Sequence, residues 1–240
     1  MDISIIIPCF NEGKNVITMT ERITAALAHT TYQYEILFID DSKDNTFELI
    51  AKYINEKSLK SRIKTIRGKG IGKGAAVKAG IQEASGEIIF YLDSDLTIPL
   101  NNIDIFIEEI KRTNSDGVIG RRILSKKGKS LIRYIFSLAL LILGRSFIFH
   151  SNYFYDTQCG FKVFKKESIK KLTSKQCVND GMFDLELLYI AKLYNMQISQ
   201  ITVTPLPEIR KSVLQLGKCV WKDPLDLLAI KVNRLLGKYN

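Results

Sequence analysis

Two carboxylates stand two residues apart in Asp93-Ser94-Asp95, directly after the apolar run Ile88 to Leu92. At the carboxyl end of a strand such a pair can reach one hard divalent cation, which can in turn hold a diphosphate. Other acceptors gather in the same way. Pro8-Cys9-Phe10-Asn11-Glu12 closes the apolar run that starts at Ile3, and Asp40-Asp41-Ser42 closes the run from Glu35 to Ile39. Acceptors at neighbouring strand ends suit the N–H donors of a base and the hydroxyls of a ribose. Helix capping competes as a reading of Glu12 and Asp44, but it does not account for Asp40 and Asp41 side by side. A fourth segment, Gly68-Lys69-Gly70-Ile71-Gly72-Lys73-Gly74, can present backbone N–H groups and lysines to phosphate. It departs from the Walker A pattern, because Gly74 stands where Ser or Thr should follow Gly72-Lys73, and a plain turn is the alternative.

The elements that must position these groups follow from periodicity. Apolar runs at Ile3 to Pro8, Glu35 to Ile39, Ile63 to Ile66, Ile88 to Leu92 and Gly117 to Gly120 alternate with helical spacings over Asn15 to Ala28, Asp44 to Ile54, Ala75 to Ala84 and Ile103 to Ile110. The alternation predicts an α/β fold, a Rossmann-like mostly parallel sheet with helices on both faces, whose ligand lies outside the carboxyl ends of the strands. At 240 residues, 46% hydrophobic and 25% charged, the chain has the composition of one globular domain rather than a disordered or fibrous one. That domain divides into a nucleotide-binding half, 1–120, an acceptor half, 121–210, and a closing amphipathic helix, 223–238.

The net charge of +10 is unevenly spread. Residues 1–120 hold 14 Lys and Arg against 17 Asp and Glu, and residues 121–240 hold 21 against 8. A basic second half predicts a polyanionic partner: a phosphate substrate, an anionic membrane surface or nucleic acid. Leu131 to Phe149 is strongly apolar but interrupted by Arg133 and Arg145, so it is too short to span a bilayer. Lys126, Lys127 and Lys129 crowd its amino-terminal flank. An interfacial helix and a buried core helix are equally weighted for it. The closing helix opens at Asp223-Pro224 and carries Leu225, Leu228, Ala229, Val232, Leu235 and Leu236 on one face, for which core packing is favoured over membrane contact. Cys9, Cys159, Cys177 and Cys219 are scattered without zinc spacing, which predicts a reducing compartment. Ile3 to Ile7 is far too short for the apolar region of a signal peptide, so none is expected there.

Taken together, IIIPCFNE at 5–12, IDDSKDNT at 39–46, GKGAAVKAGIQEASGEIIFYLDSD at 72–95 and VIGRR at 118–122 resemble the inverting GT-A glycosyltransferases of family two. Within that family, DTQCGFKVF at 156–164 and FDLELLYIAK at 183–192 are similar to the dolichyl- and polyprenyl-phosphate hexose synthases. The resemblance implies a GT-A fold in which Pro8, Phe10, Asn11, Glu12, Asp40, Asp41 and Lys73 bind a nucleoside diphosphate sugar. It implies that Asp93 and Asp95 hold Mg²⁺ or Mn²⁺, with Arg122 and Arg133 catalytic beside them. Asp156, Gln158 and Lys162 would meet a polyprenyl or dolichyl phosphate acceptor at the cytoplasmic face of a membrane. Mannosyl members often carry Gln two residues after the metal carboxylates, and Thr97 stands there; with the FDLELL run this favours UDP-glucose over GDP-mannose.

The chemistry can also be reasoned without the family. Cleaving an anomeric bond to a nucleoside diphosphate builds negative charge on the leaving phosphate, which calls for a cation and arginines. A phosphate acceptor, with a second pKa of about 6, attacks without a general base, whereas a hydroxyl acceptor needs one. The motif-borne carboxylates of the second half are Asp156, Asp184 and Glu186, and Asp156 is favoured as an orienting partner of Lys162 or Arg133. Two other functions compete. In one, a soluble or glycan hydroxyl is the acceptor and Asp156 or Asp184 is the base. In the other, the chain is a non-enzymatic basic domain binding nucleic acid or lipid, with Tyr153, Phe154 and Tyr155 available for stacking, although it has no zinc spacing or RNA-binding aromatic pattern.

Overall fold

The structure, a computed structural model, describes residues 1–123, 142, 148–149, 154–206 and 216–240; for 216–221 it describes the backbone alone. Residues 124–141, with Lys126, Lys127, Lys129 and Arg133, are therefore outside the described residues, and so is the proposed interfacial helix apart from 142 and 148–149.

Seven strands form one sheet: β1 (Ile3–Cys9), β2 (Tyr34–Asp40), β3 (Ile63–Arg67), β4 (Ile88–Leu92), β5 (Gly117–Arg122), β6 (Phe161–Lys165) and β7 (Ile198–Val203). Their order is β3-β2-β1-β4-β6-β5-β7. All neighbours run parallel except β6, which is antiparallel to both β4 and β5. The sheet is thus mostly parallel, as the alternation predicts, and the second half of the chain contributes β6 and β7 to it.

Period-two alternation divides the strand residues between two cores. Ile6, Leu37, Ile39, Ile89, Tyr91 and Ile119 face one, and Ile5, Ile7, Ile36, Phe38, Phe90 and Val118 face the other. The first core is covered by α3 (Lys73–Glu83), α5 (Lys166–Lys175), α6 (Phe183–Leu193) and α7 (Leu216–Leu235). The second is covered by α1 (Val16–Leu27), α2 (Thr46–Glu56) and α4 (Asn102–Thr113). Because β1 lies between β2 and β4, successive crossovers leave it in opposite directions. The crevice at the carboxyl ends of β1 and β4 is the topological switch point, where open α/β sheets take their ligands.

The closing helix differs from expectation in two ways. It begins at Leu216, so that Pro224 lies inside it. Pro224 is on the exposed side, where water can take up the hydrogen bond that its missing N–H leaves open. The second difference is which face packs. Leu227 and Ile230 enter the core with the later Tyr239, whereas Leu225, Leu228, Val232, Leu235 and Leu236 are exposed. The expectation that this face packs into the core is therefore overturned.

Candidate active site

The loops after β1 and β2 are knitted to each other. Asn11 adopts a left-handed backbone (φ 56°), which asparagine tolerates better than most residues. Its N–H donates to Ser42 Oγ (2.7 Å), and its Oδ1 accepts from the Lys43 N–H (3.0 Å). Asp44 accepts from the Gly13 N–H (3.1 Å) and from the Thr46 N–H (3.1 Å) at the start of α2, whose N-cap position is Asn45 rather than the expected Asp44. Asp40 is buried, accepts from Ser42 and pairs with Arg67 (3.1 Å). Burial raises its pKa, against the hydrogen bonds from Ser42 and the charge of Arg67. Asp41 is half-exposed at the rim and accepts from the Gly70 N–H (2.8 Å). Phe10 is exposed beside these loops and Pro8 half-buried. Arg67, which with Ser42 organises the acidic pair, carries no motif of its own in the sequence.

Glu12 is buried and crosses the switch point: Ser94 Oγ, from the middle of the Asp93-Ser94-Asp95 turn, donates to Glu12 Oε1 (2.8 Å). The ends of β1 and β4 are thereby tied together at the crevice. Here Ser94 has a defined task that spacing alone gave no reason to assign.

Asp93 is one-third exposed and lies 2.5 Å from Lys73 Nζ, at the start of α3. Lys73 also faces Asp184 (3.7 Å), whose other oxygen receives Lys162 Nζ (2.6 Å) and the Tyr91 hydroxyl (2.9 Å). Lys162 is fully buried and donates as well to the Cys159 carbonyl (2.5 Å). Carboxylates and ammoniums alternate from Asp93 through Lys73 and Asp184 to Lys162. Burial disfavours charge on Asp93, but Lys73 outweighs it and holds the carboxyl below its usual range. Lys73 is raised despite its own desolvation, by Asp93 and then Asp184. Asp95, exposed at the turn, is raised by partial desolvation and then by Asp93, while accepting the Thr97 N–H (3.1 Å).

Three expectations change here. Lys162, expected at the acceptor, is sealed inside the protein and balances Asp184 instead. Asp184, a candidate base, is buried between two lysines. The glycine segment is a packing device at its end: a Cβ on Gly72 (φ 130°) would strike the Asn179 carbonyl, and one on Gly74 would strike Phe183. The Ala75 N–H, at the start of α3, already donates to Asn179 O (3.1 Å), so it is not offered to phosphate.

Opposite this network, Arg122 at the end of β5 is gripped by Asp156. Its Nε donates at 2.7 Å, its NH2 at 3.1 Å and its backbone N–H at 3.1 Å. Asp156 therefore orients Arg122, where Lys162 or Arg133 had been expected. Burial raises the Asp156 pKa, but the Arg122 bonds and charge prevail and lower it. The Gln158 N–H donates to Asp156 (3.0 Å), and Gln158 Nε2 is buried with no hydrogen-bond partner among the described residues. Gly160 leaves room for Asp93, whose carboxylate a Cβ there would strike. Glu186, the remaining motif carboxylate, accepts the N–H groups of Cys177 and Val178 and the Tyr239 hydroxyl. Phe154 is buried against Phe149 and cannot stack on a base, and Tyr155 lies under Arg121 (4.5 Å).

The donor set at Asp93 and Asp95 suits a hard divalent cation: two carboxylates with oxygen donors only, one already attracting an ammonium and the other raised by desolvation and then by its neighbour's charge. Among the described residues no three His, Cys, Asp or Glu side chains converge. Further coordination would fall to oxygens of the substrate and water.

Comparison with known proteins identifies the family and the fold. Residues 4–173 match the family described as glycosyl transferase family 2. A dolichyl-phosphate beta-glucosyltransferase of Trichomonas vaginalis is 32% identical over 96% of this chain and 73% of its own length. The human dolichyl-phosphate beta-glucosyltransferase is 30% identical over 99% and 77%. Among solved structures, glucosyl-3-phosphoglycerate synthase from Mycobacterium tuberculosis with Mn²⁺, uridine diphosphate and phosphoglyceric acid superposes with a TM-score of 0.67. It covers 100% of this chain and 78% of that one at 17% identity. At that identity the likeness shows the fold, which is GT-A.

Proposed function

The chain belongs to glycosyl transferase family 2, and from that premise we propose that it moves glucose from UDP-glucose to dolichyl or another polyprenyl phosphate, with inversion, at the cytoplasmic surface of a membrane. The observation that carries this reading is the placement of Asp93 and Asp95 at the switch-point crevice with Arg122 held across from them. Two of the relatives bear the name of this reaction with dolichyl phosphate.

Each described residue then has a task. Asp41, Asn11, Phe10 and Pro8 line the nucleoside end, with Asp40 and Glu12 fixing the loops beneath. Lys73 holds Asp93 in place while contributing positive charge beside the leaving diphosphate. Mg²⁺ or Mn²⁺ held by Asp93 and Asp95 would supply further neutralisation of that charge when bound. Arg122 engages Asp156 through Nε and NH2, and that fixed guanidinium supplies a preorganised cation for the phosphates. Arg133 and the acceptor role of Gln158 belong to the same proposal, with the unpartnered Gln158 Nε2 as the donor available to a substrate oxygen.

A phosphate acceptor also accords with the carboxylates. A general base must be free to take a proton. Asp156 is depressed and committed to Arg122, and Asp184 is enclosed by lysines. A phosphate dianion needs neither.

Donor choice is tested by thermal unfolding with UDP or GDP, each with Mn²⁺. A nucleotide at 100 times its Kd stabilises by about 2.7 kcal/mol, which for a chain of this size raises Tm by roughly 5–10 °C. UDP with Mn²⁺ is expected to give the larger shift, and to give much less with EDTA. A larger shift with GDP would assign a guanosine donor, and no shift with either would remove the nucleotide-sugar reading.

A further inference from the structure

Left-handed backbone occurs at five described residues other than glycine: Asn11, Ser58, Leu96, Asn114 and Asn195. Ser58, Asn114 and Asn195 stand at or just past the ends of α2, α4 and α6, where that conformation closes the last helical turn. Asn11 belongs to the nucleoside loop, and its polar side chain tolerates the torsion. Leu96 is different. It ends no helix, it has no polar side-chain atom to support the conformation locally, and at φ 46° its Cβ is pressed towards the following carbonyl.

Strain of this kind persists only where the surroundings over-determine it. Two sets of contacts do so at Leu96. Its side chain is 4% exposed and joins the core that holds Ile98, Ile103, Phe106 and Phe161. Its backbone closes the turn that carries both carboxylates: the Leu96 N–H donates to the Asp93 carbonyl (3.1 Å), and the next N–H, of Thr97, donates to Asp95 Oδ1 (3.1 Å). Leu96 lies between Asp95 and Thr97, so its torsions set where the Thr97 N–H points and hence where the Asp95 carboxylate is held. The turn is also pinned at both ends, by Ser94 on Glu12 (2.8 Å) and by the Leu206 N–H on the Thr97 carbonyl (2.7 Å). An ordinary right-handed or extended backbone at Leu96 would withdraw the leucine from the core or the Thr97 N–H from Asp95.

We propose that Leu96 is a positioning residue for the reaction: its buried side chain locks a strained left-handed turn that fixes the Asp95 carboxylate beside Asp93. Its consequence for catalysis rests on the function proposed above, in which Asp95 holds a cation on the diphosphate, whereas the locking of the turn does not.

Three substitutions separate the anchor from the torsion. Leu96→Met keeps the apolar bulk and is unbranched at Cβ, Leu96→Ile keeps the bulk but its branch opposes positive φ, and Leu96→Gly accepts the torsion but removes the anchor. The first readout needs no ligand. Exchange of the Thr97 amide hydrogen in metal-free protein, followed by NMR, is expected to match the parent in Leu96→Met and to be faster in Leu96→Ile and Leu96→Gly. The second is the gain in UDP affinity when Mn²⁺ replaces EDTA. That gain should be kept in Leu96→Met and fall by roughly 10- to 100-fold in the other two, the usual penalty for disturbing a group that orients a metal ligand.

Leu27→Ala is the control, because it truncates the same core at the end of α1 remote from the crevice. It should lower Tm while leaving both readouts as in the parent. Parent-like Thr97 exchange in Leu96→Ile overturns the locked turn, and faster exchange with the full Mn²⁺ gain overturns the positioning role. So does a Leu27→Ala variant that loses the gain to the same extent, since lost stability would then be the cause. If Leu96→Gly does not fold, the comparison of Leu96→Ile with Leu96→Met decides. A parent whose UDP affinity does not respond to Mn²⁺ removes the metal reading proposed above and the catalytic role with it, and the exchange measurement still decides the turn.

Discussion

Asp95→Asn is expected to lower transfer by roughly 10²-fold or more with little change in stability, a loss of about 2.7 kcal/mol or more in the transition state. The substitution keeps size and shape at an exposed turn, and the Asp95 oxygen that accepts the Thr97 N–H has an amide equivalent. What disappears is one of two negative charges able to hold a divalent cation on the diphosphate. Asp93→Asn would be a less clean experiment, because Asp93 also neutralises Lys73. Rates measured across a Mn²⁺ titration, together with unfolding curves, check the prediction. Parent-like rates in Asp95→Asn, or undiminished turnover of the parent in excess EDTA, would remove the metal from these carboxylates.

Asp184→Ala is expected to have the largest effect on stability. Lys162 is fully buried, and Asp184 is its counter-ion at 2.6 Å. Removing one partner of a buried pair leaves an uncompensated charge and costs about 3–5 kcal/mol, which for a chain of this size lowers Tm by roughly 6–20 °C. The Tyr91 hydroxyl loses its acceptor in the same step. Replacing both ions, Asp184→Leu with Lys162→Met, should recover most of the loss, because the desolvation cost of the pair vanishes with it. Activity should not recover with it, since Lys73 would lack its second carboxylate. Thermal unfolding of the single and double variants measures this, and a single variant as stable as the parent would show that the pair contributes nothing.

The strands that carry the acidic loops were legible because each is a short apolar run ending in polar residues, and the observed ends differ by a residue or two. Asp93-Ser94-Asp95 was legible for the same reason. The insertion of β6 between β4 and β5 was not, since antiparallel pairing of Phe161–Lys165 with Ile88–Leu92 depends on contacts 69 to 77 residues apart. Lys162 looked like a surface cation because lysine is rarely buried, yet strand alternation puts it on the same face as Phe164, and that was the available signal. Arg122 with Asp156 could be named as important residues but not as a pair, because no local pattern joins 122 to 156. In α7 the periodicity correctly marked an apolar face. Hydrophobic spacing reports that a face is apolar and not what covers it, and Leu227 and Ile230 on the other side took the core.

The central claim is that a sugar passes from a nucleoside diphosphate to a lipid-borne phosphate. Its most direct measurement is the partition of label from radiolabelled UDP-glucose into organic solvent after incubation of the full chain with Mn²⁺ and either dolichyl phosphate or dolichol. Label is predicted to enter the organic phase with dolichyl phosphate alone, with one UDP released per glucose transferred. Equal labelling of dolichol, or no lipid product while a soluble hydroxyl acceptor is glucosylated, would contradict the account.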